Sequence, residues 1–200
     1  MNYTVQQIAD ITNASVIGDH GLFIRNIAFD SRIIYSTRDT AFIAINTHKN
    51  SGEKFIESAI DRGINIIVSE HAYPQFENIT WLIVENSVDF LQTLARYHFE
   101  NAQLKSVGIT GSNGKTILKE WLYQCLWNEF STVKSPKSFN SQIGLPLSLL
   151  QINPSHELGI FEVGISKPDE MEKLECIFHP QIGLMTHIGN AHLANFESEE

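Results

Sequence analysis

A lysine and a threonine behind a run of spaced glycines carry the clearest chemistry in this chain. The segment reads Gly108-Ile-Thr-Gly-Ser-Asn-Gly-Lys-Thr116. Lys115 can reach terminal phosphates and the Thr116 hydroxyl can sit on Mg²⁺. The small residues Gly111, Ser112, Asn113 and Gly114 let backbone N–H groups approach an anion. The general pattern is G-x-x-x-x-G-K-[ST], but Ile109 stands where the first glycine belongs and the glycine comes one residue earlier, at Gly108. The loop is better written G-x-x-G-x-x-G-K-T. Three later segments add polar groups. Ser138-Phe-Asn-Ser-Gln-Ile-Gly144 is a polar turn after the basic Lys134-Ser-Pro-Lys137, Glu162 ends an apolar run, and His192 closes Thr186-His-Ile-Gly-Asn-Ala-His192. A hydroxyl, a carboxylate and an imidazole around nucleotide phosphates make a reasonable Mg²⁺ environment, with water and phosphate oxygens completing it. Taken singly, a strand-end carboxylate such as Glu162 or a loop histidine such as His192 is more often structural or solvated than functional. His187 reads as structural. His48, His71, His98, His156 and His179 have no partner pattern and read as surface or structural.

These groups need elements to position them. Leu104 to Thr110 suits a buried parallel strand. From Lys115 onward Ile117, Leu118, Trp121, Leu122, Cys125 and Leu126 recur at helical spacing, with Trp121 and Trp127 read as packing residues. The order strand, glycine-rich turn, helix is the context a phosphate loop requires, because the helix N-terminus presents N–H groups and a favourable dipole. Ile143 to Leu150, a strand at Leu158 to Val163, a helix at Pro168 to Cys176 and a strand at Gln181 to Thr186 follow. This alternation predicts a parallel sheet with covering helices, with the loop, Glu162 and His192 all at the carboxyl ends of its strands.

The first half shows its own alternation. Thr4 is an N-cap for a helix carrying Val5, Ile8, Ala9 and Ile11. Strands are expected at Leu22 to Phe29, Thr40 to Ile45, Ile64 to Ser69 and Trp81 to Val84. Helices are expected from Gly52 to Arg62, stopped by Gly63, and from a Ser87 cap to about Phe99. The boundary near Asn101 to Lys105 gives two α/β domains, 1–100 and 101–200. The stretch from the loop to Glu200 is short for a complete nucleotide domain, so the second domain is expected to be cut off.

The bulk composition fits a globular protein. Of 200 residues, 42% are hydrophobic and 18% charged, and the net charge is −9. An acidic chain lacks the basic face that nucleic acid requires, yet a phosphate ligand needs only local positive potential. The two cysteines, Cys125 and Cys176, read as small buried hydrophobes in a reducing compartment, with neither a disulfide framework nor a CxxC site. No secretory signal or apolar stretch of membrane-spanning length is visible, so a cytoplasmic protein without membrane insertion is expected.

Several segments together resemble one family. Gly108 to Thr116, Asn140 with Ile143-Gly-Leu-Pro146, Glu162-Val-Gly164 and Ile188-Gly-Asn-Ala-His192 are similar to successive motifs of the Mur ligases, the ATP-dependent amide-forming enzymes of peptidoglycan synthesis. Asp30-Ser-Arg32, Ala41-Phe-Ile-Ala44 and the Gly52 to Gly63 segment resemble the uridine-nucleotide domain of members that add the later peptide residues. Within the family the fit is best to members joining D-alanyl-D-alanine to UDP-MurNAc-tripeptide, and among these to a form fused to a C-terminal alanine racemase, which would bring pyridoxal phosphate only if that domain follows. The resemblance implies a small UDP-substrate-binding α/β domain over 1–100. It is followed over 101–200 by the first part of a P-loop ATP-binding domain, which stops before the family's carbamoylated lysine, adenine pocket and amine-receiving domain. It also implies ATP and Mg²⁺ as cofactors and an acyl-phosphate intermediate. Gly111 to Thr116 would hold the ATP phosphates, and Lys115 would neutralise the transferring phosphoryl group. Thr116, Glu162 and His192 would serve the magnesium sites, with Lys115, Glu162 and His192 as the catalytic set. Ser31 and Arg32 would contact the uridine nucleotide, and Asn140 and Ser141 the nucleotide or muramoyl group. The chain departs from the usual family pattern at Ile117, Ser138, Ser141, His187 and Ala194. The alternatives are a ligase adding the third peptide residue, a folylpolyglutamate synthase, which the Asp30-Ser-Arg32 domain disfavours, or a P-loop nucleotide switch.

Overall fold

A computed structural model of the chain describes residues 1–34, 36–48, 50–165, 167 and 169–189. The chain divides into two compact units, Met1–Leu94 and Ala95–Glu200.

In the first unit, β1 (Tyr3–Thr4) leads into α1 (Val5–Thr12) through a capping box. The Thr4 hydroxyl accepts from the Gln7 N–H and the Gln7 side chain accepts from the Thr4 N–H. The sheet is built from β2 (Ser15–Ile17), β4 (Asn26–Ala28), β5 (Thr40–Ile43), β6 (Ile66–Ser69) and β7 (Thr80–Ile83), in the order β2-β7-β6-β5-β4. The last four are parallel, and β2 adds an antiparallel edge. Both faces of β5 and β6 are buried, as expected for parallel strands covered on two sides. One face packs Phe42, Ile67 and Trp81 against Ile56 and Ala59 of α2 (Ile56–Asp61).

Two expectations in this unit are corrected. The strand expected over Leu22 to Phe29 is two strands, β3 (Phe23–Ile24) and β4. β3 pairs antiparallel with β1 whereas β4 joins the main sheet. The break falls at Arg25, whose N–H turns to the Asp39 carbonyl. The helix α3 (Ser87–Glu100) is capped by Asn86, not Ser87. The Asn86 Oδ1 accepts from the N–H groups of Val88 and Asp89, while Ser87 is buried.

The second unit holds the parallel sheet β11-β8-β10-β9, made of β8 (Lys105–Thr110), β9 (Thr132–Lys134), β10 (Leu158–Glu162) and β11 (Ile182–Met185). On one face Leu118, Leu122 and Leu126 of α4 (Lys115–Leu126) pack on Val107, Ile109, Leu158 and Ile160. On the other, Phe178 meets Phe161 and Phe99 edge-on at ring separations of 5.4 and 4.9 Å. The short helices α5 (Gly144–Leu149) and α6 (Glu170–Glu175) complete the unit. The apolar stripe of α4 differs from expectation. Ile117 and Trp121 are 58% and 64% exposed, Trp127 at the helix end is 55% exposed, and Cys125 lies on the exposed side. Cys176, just after α6, is exposed as well. Neither cysteine is a core residue. Among the described residues no helix is long and apolar enough to cross a membrane.

Candidate functional site

The parallel order of the second sheet puts the ends of β8 and β10 side by side, with Glu162 in register with Ile109. The turn leaving β8 needs glycine twice, for different reasons. Gly111 has φ +123°, and a Cβ there would stand 2.3 Å from Thr186 Oγ1 and 3.0 Å from the His187 carbonyl. Gly114, the residue before α4, has φ +84° with open space around it, so only its backbone conformation demands glycine. Beyond it, the first N–H groups of α4 have no carbonyl one turn earlier and face an incoming anion.

The residue pairs after β11 fasten this turn. The Ser112 N–H donates to the His187 carbonyl at 2.6 Å, which removes that N–H from any phosphate cradle. The Ser112 hydroxyl donates to the Gly189 carbonyl and accepts from its N–H, each at 3.0 Å. The Thr186 hydroxyl lies 2.6 Å from the Asn113 carbonyl and 3.2 Å from that of Thr110. The structural role expected for His187 is thus a backbone one. Lys115 folds back over the loop, its ammonium on the Gly111 carbonyl and 3.4 Å from that of Ser112.

Thr116 and Glu162 come together. The Thr116 Oγ1 is 3.1 Å from Glu162 Oε2 and 3.4 Å from the Ser138 hydroxyl. Glu162 is fully buried. Its N–H donates to the Ser135 hydroxyl at 3.1 Å, and Asn140 Nδ2 lies 3.5 Å from Oε2. Asn140 also accepts at its carbonyl from Gly164 N–H at 2.8 Å. Gly164 makes this approach possible: a Cβ there would be 2.7 Å from Asn140 Cγ. Ser141 is occupied locally, its hydroxyl accepting from Gly144 N–H at the start of α5.

A hydroxyl beside a buried carboxylate is a hard-oxygen pair, the donor chemistry that suits Mg²⁺, which takes few protein ligands and completes its shell with phosphate and water. Among the described residues no three His, Cys, Asp or Glu side chains converge as a metal cage. His192 lies outside the described residues.

The structure adds a residue that reasoning from sequence missed. Lys119 is fully buried and its ammonium lies 2.9 Å from Glu162 Oε1. It also donates to the Ser135 carbonyl at 2.8 Å and makes a short contact to that of Lys137. The signal in the sequence is its spacing of one helical turn from Lys115, which puts both on one face. Outward from it the charges alternate. Glu120 lies 3.3 Å from Lys119 and in short contact with Lys134, whose ammonium sits 4.0 Å above the Tyr123 ring. The bond from Lys134 lowers the Glu120 carboxyl pKa.

In the first unit, Asp30 caps a 3₁₀ turn at Ser31–Ile33. Its carboxylate accepts from the Arg32 backbone N–H and, through both oxygens, from the guanidinium at 2.9 and 2.7 Å. That grip lowers the Asp30 pKa to about 2. Ser31 is buried and the Arg32 side chain is 79% exposed. The neighbouring cavity, about 280 Å³, is lined by Asp30, Ile27, Ile33, Ile34 and Thr40 among others. The loop after β5 is held by Asn46, which accepts from Gly52 N–H and the Ser51 hydroxyl and donates to Glu70. His71 pairs with Glu53 at 3.0 Å, which raises the His71 pKa. His98, in the second unit, is buried with its ring nitrogen 2.8 Å from the Ile152 carbonyl, and burial lowers its pKa.

Known proteins share the sequence and fold of this chain. Residues 109–200 match the Mur ligase middle domain. The UDP-N-acetylmuramoyl-tripeptide–D-alanyl-D-alanine ligase of Borreliella burgdorferi is 33% identical over 202 residues, covering 96% of this chain and 42% of that protein. The Bacillus subtilis protein of the same name is 28% identical over 200 residues, covering 98% and 43%. The chain therefore spans about two fifths of the length of the curated relatives it matches. Among solved structures, MurF from Acinetobacter baumannii superposes with a TM-score of 0.88 at 27% identity, over 100% of this chain and 44% of its own. MurF ligase from Thermotoga maritima in complex with ADP gives 0.74 at 32% identity, over 88% and 40%. With the motifs, the parallel-sheet fold and these relatives in agreement, residues 109–200 belong to the Mur ligase middle-domain family.

Proposed function

We propose that this chain carries the nucleotide-binding portion of an ATP-dependent amide ligase of peptidoglycan precursor synthesis, one that joins D-alanyl-D-alanine to UDP-MurNAc-tripeptide. The observation that carries the reading is the 3.1 Å approach of the Thr116 hydroxyl to the buried Glu162 carboxylate beside a glycine-built helix N-terminus. Curated relatives bearing that ligase name, and a relative solved with ADP, support it.

ATP supplies the phosphoryl group that turns the tripeptide carboxylate into an acyl phosphate. A carboxylate oxygen forms the new bond to phosphorus as the bond to ADP breaks. The dipeptide amine then forms the amide bond as phosphate leaves with the carboxylate oxygen, and the amine gives up a proton. The chain's own residues bind and neutralise. The N–H groups at the start of α4 and those of the Gly111–Thr116 turn, apart from the Ser112 N–H that His187 takes, hold phosphate oxygens. Lys115, released from the Gly111 carbonyl, meets the charge on the transferring group, the electrostatic work on which phosphoryl transfer depends. Thr116 and Glu162 hold Mg²⁺, and His192 serves a second magnesium site. Asn140 and Ser141 line the approach of the nucleotide or muramoyl group. Ser31 and Arg32 contact the uridine nucleotide, with Arg32 oriented by Asp30.

The test is phosphate release by the intact protein given UDP-MurNAc-tripeptide, ATP and Mg²⁺, with and without D-alanyl-D-alanine. Release that depends on the dipeptide is expected. Release indifferent to it would reject the ligase reading in favour of a nucleotide switch, and release that follows a third-residue amino acid would move the chain to another member of the family.

A further inference from the structure

The phosphate chemistry outlined above leaves one buried charge without a task. Lys119 is wholly shielded from water, and a buried ammonium persists only when charge and hydrogen bonds replace its hydration. Glu162 at 2.9 Å and the more exposed Glu120 at 3.3 Å supply the charge, and the carbonyls of Ser135 and Lys137 supply the hydrogen bonds. The division of labour between the two Glu162 oxygens is informative. Oε1 lies 2.9 Å from the ammonium and accepts no aligned hydrogen bond among the described residues, so charge alone holds it. Oε2 turns the other way, to the Thr116 hydroxyl at 3.1 Å and Asn140 at 3.5 Å. A carboxylate pinned at one oxygen has a fixed direction for the other. The two carbonyls that Lys119 binds belong to the segment leading from β9 to Asn140. One ammonium therefore joins α4, the end of β10 and the segment that bears Asn140.

We propose that Lys119 is a positioning residue for the cation: it fixes Glu162 so that Oε2 faces the Thr116 hydroxyl, and it locks the Asn140 segment to the phosphate-loop helix. The inference rests on the reading of Thr116 and Glu162 as the oxygen ligands of Mg²⁺, and it assigns a role to a residue outside that pair. Partners that orient a metal ligand typically change metal affinity by about 10–100-fold when removed.

The experiment uses the intact protein and isothermal calorimetry of ADP binding with Mg²⁺ and with EDTA. The readout is the ratio of the two affinities, which reports the coupling between cation and nucleotide and not the integrity of the loop. Lys119→Met is expected to keep Mg²⁺-free ADP binding within about threefold while the ratio falls on the order of tenfold. A Lys119 that only props up the fold would weaken both affinities together and leave the ratio unchanged, and that result overturns the proposal. Should Lys119→Met melt below the assay temperature, Lys119→Gln, which keeps donors for the two carbonyls and removes the charge, is read in the same way. Glu162→Gln separates the two levels of the argument. If its ratio collapses while that of Lys119→Met does not, only the positioning role is lost. If Glu162→Gln keeps the wild-type ratio, the cation reading of Glu162 fails and the positioning role fails with it.

Discussion

Two glycines in one turn, required for different reasons, allow a quantitative test. Alanine at Gly111 would have to hold φ near +123° and place its Cβ 2.3 Å from Thr186 Oγ1, with His187 backbone atoms at 3.0 and 3.1 Å. The threonine hydroxyl is committed to the Asn113 and Thr110 carbonyls, and the His187 atoms are main chain, so neither neighbour yields cheaply. Backbone strain of this kind costs about 1–3 kcal/mol. Overpacking against atoms that cannot move away costs about 1–3 kcal/mol more. The sum for Gly111→Ala is about 2–6 kcal/mol. Alanine at Gly114 faces φ +84° but no heavy atom within 4 Å, so only the left-handed penalty applies. That penalty is about 1–2 kcal/mol. Gly111→Ala should therefore destabilise the second unit more than Gly114→Ala, by about 1–4 kcal/mol. Urea unfolding of the intact protein, followed by far-ultraviolet circular dichroism, measures the difference. Equal midpoints for the two variants would refute the argument, because they would mean that the packing of Thr186 and His187 against Gly111 carries no weight.

Other perturbations follow from the same geometry. Ser112→Ala removes both hydrogen bonds to Gly189 and should cost about 1–3 kcal/mol, with faster hydrogen exchange at the Gly189 amide as its local signature. Gly164→Ala pushes its Cβ to 2.7 Å from Asn140 Cγ, and should lower the Mg²⁺ dependence of ADP binding on the order of tenfold in calorimetry while leaving the melting temperature near wild type. Glu53→Gln should lower the His71 pKa toward its ordinary value in an NMR titration. His71 is raised in the folded state, so the pairing contributes below the unfolded histidine value and fades as pH climbs through the folded one. The variant should erase that increment at mildly acidic pH, so its cost should be larger there than at pH 9, where only the contacts of Glu53 to Tyr73 and Asn46 are affected.

The nucleotide half was the legible part. Leu104 to Thr116 is read from sequence because each local signal agrees: a short apolar run, glycines where positive φ is needed, and a helix behind them. Glu162 is legible for a similar reason, as the first charge after an unbroken apolar strand. The apolar side of α4 was not. Ile117, Trp121 and Cys125 form one row at helical spacing, and Leu118, Leu122 and Leu126 form the next. A helix on one sheet face buries a single stripe, and periodicity alone cannot choose between adjacent apolar rows. Only the sheet, by receiving the leucine row, decides. Lys119 is hard to read for the complementary reason: its spacing from Lys115 puts it on the loop's face, but a lysine on a helix reads as solvent-facing unless a buried partner is known, and that partner, Glu162, lies far along the chain. The strand break at Arg25 was likewise set by a partner elsewhere, the Asp39 carbonyl.

The fasteners of the phosphate turn have a consequence for how the protein is made. The hydrogen bonds that tie Ser112 and Asn113 to Gly189 and Thr186 bridge 73 to 77 positions of sequence. A ribosome delivers the turn and α4 long before it delivers β11, so the nascent chain carries a glycine-rich segment with nothing to hold its shape. Contacts of such separation form late, after their closure entropy has been met. Competence to grip phosphate is thus acquired near the end of this stretch of synthesis, and a split of the chain anywhere between α4 and β11 would part the turn from the residues that shape it.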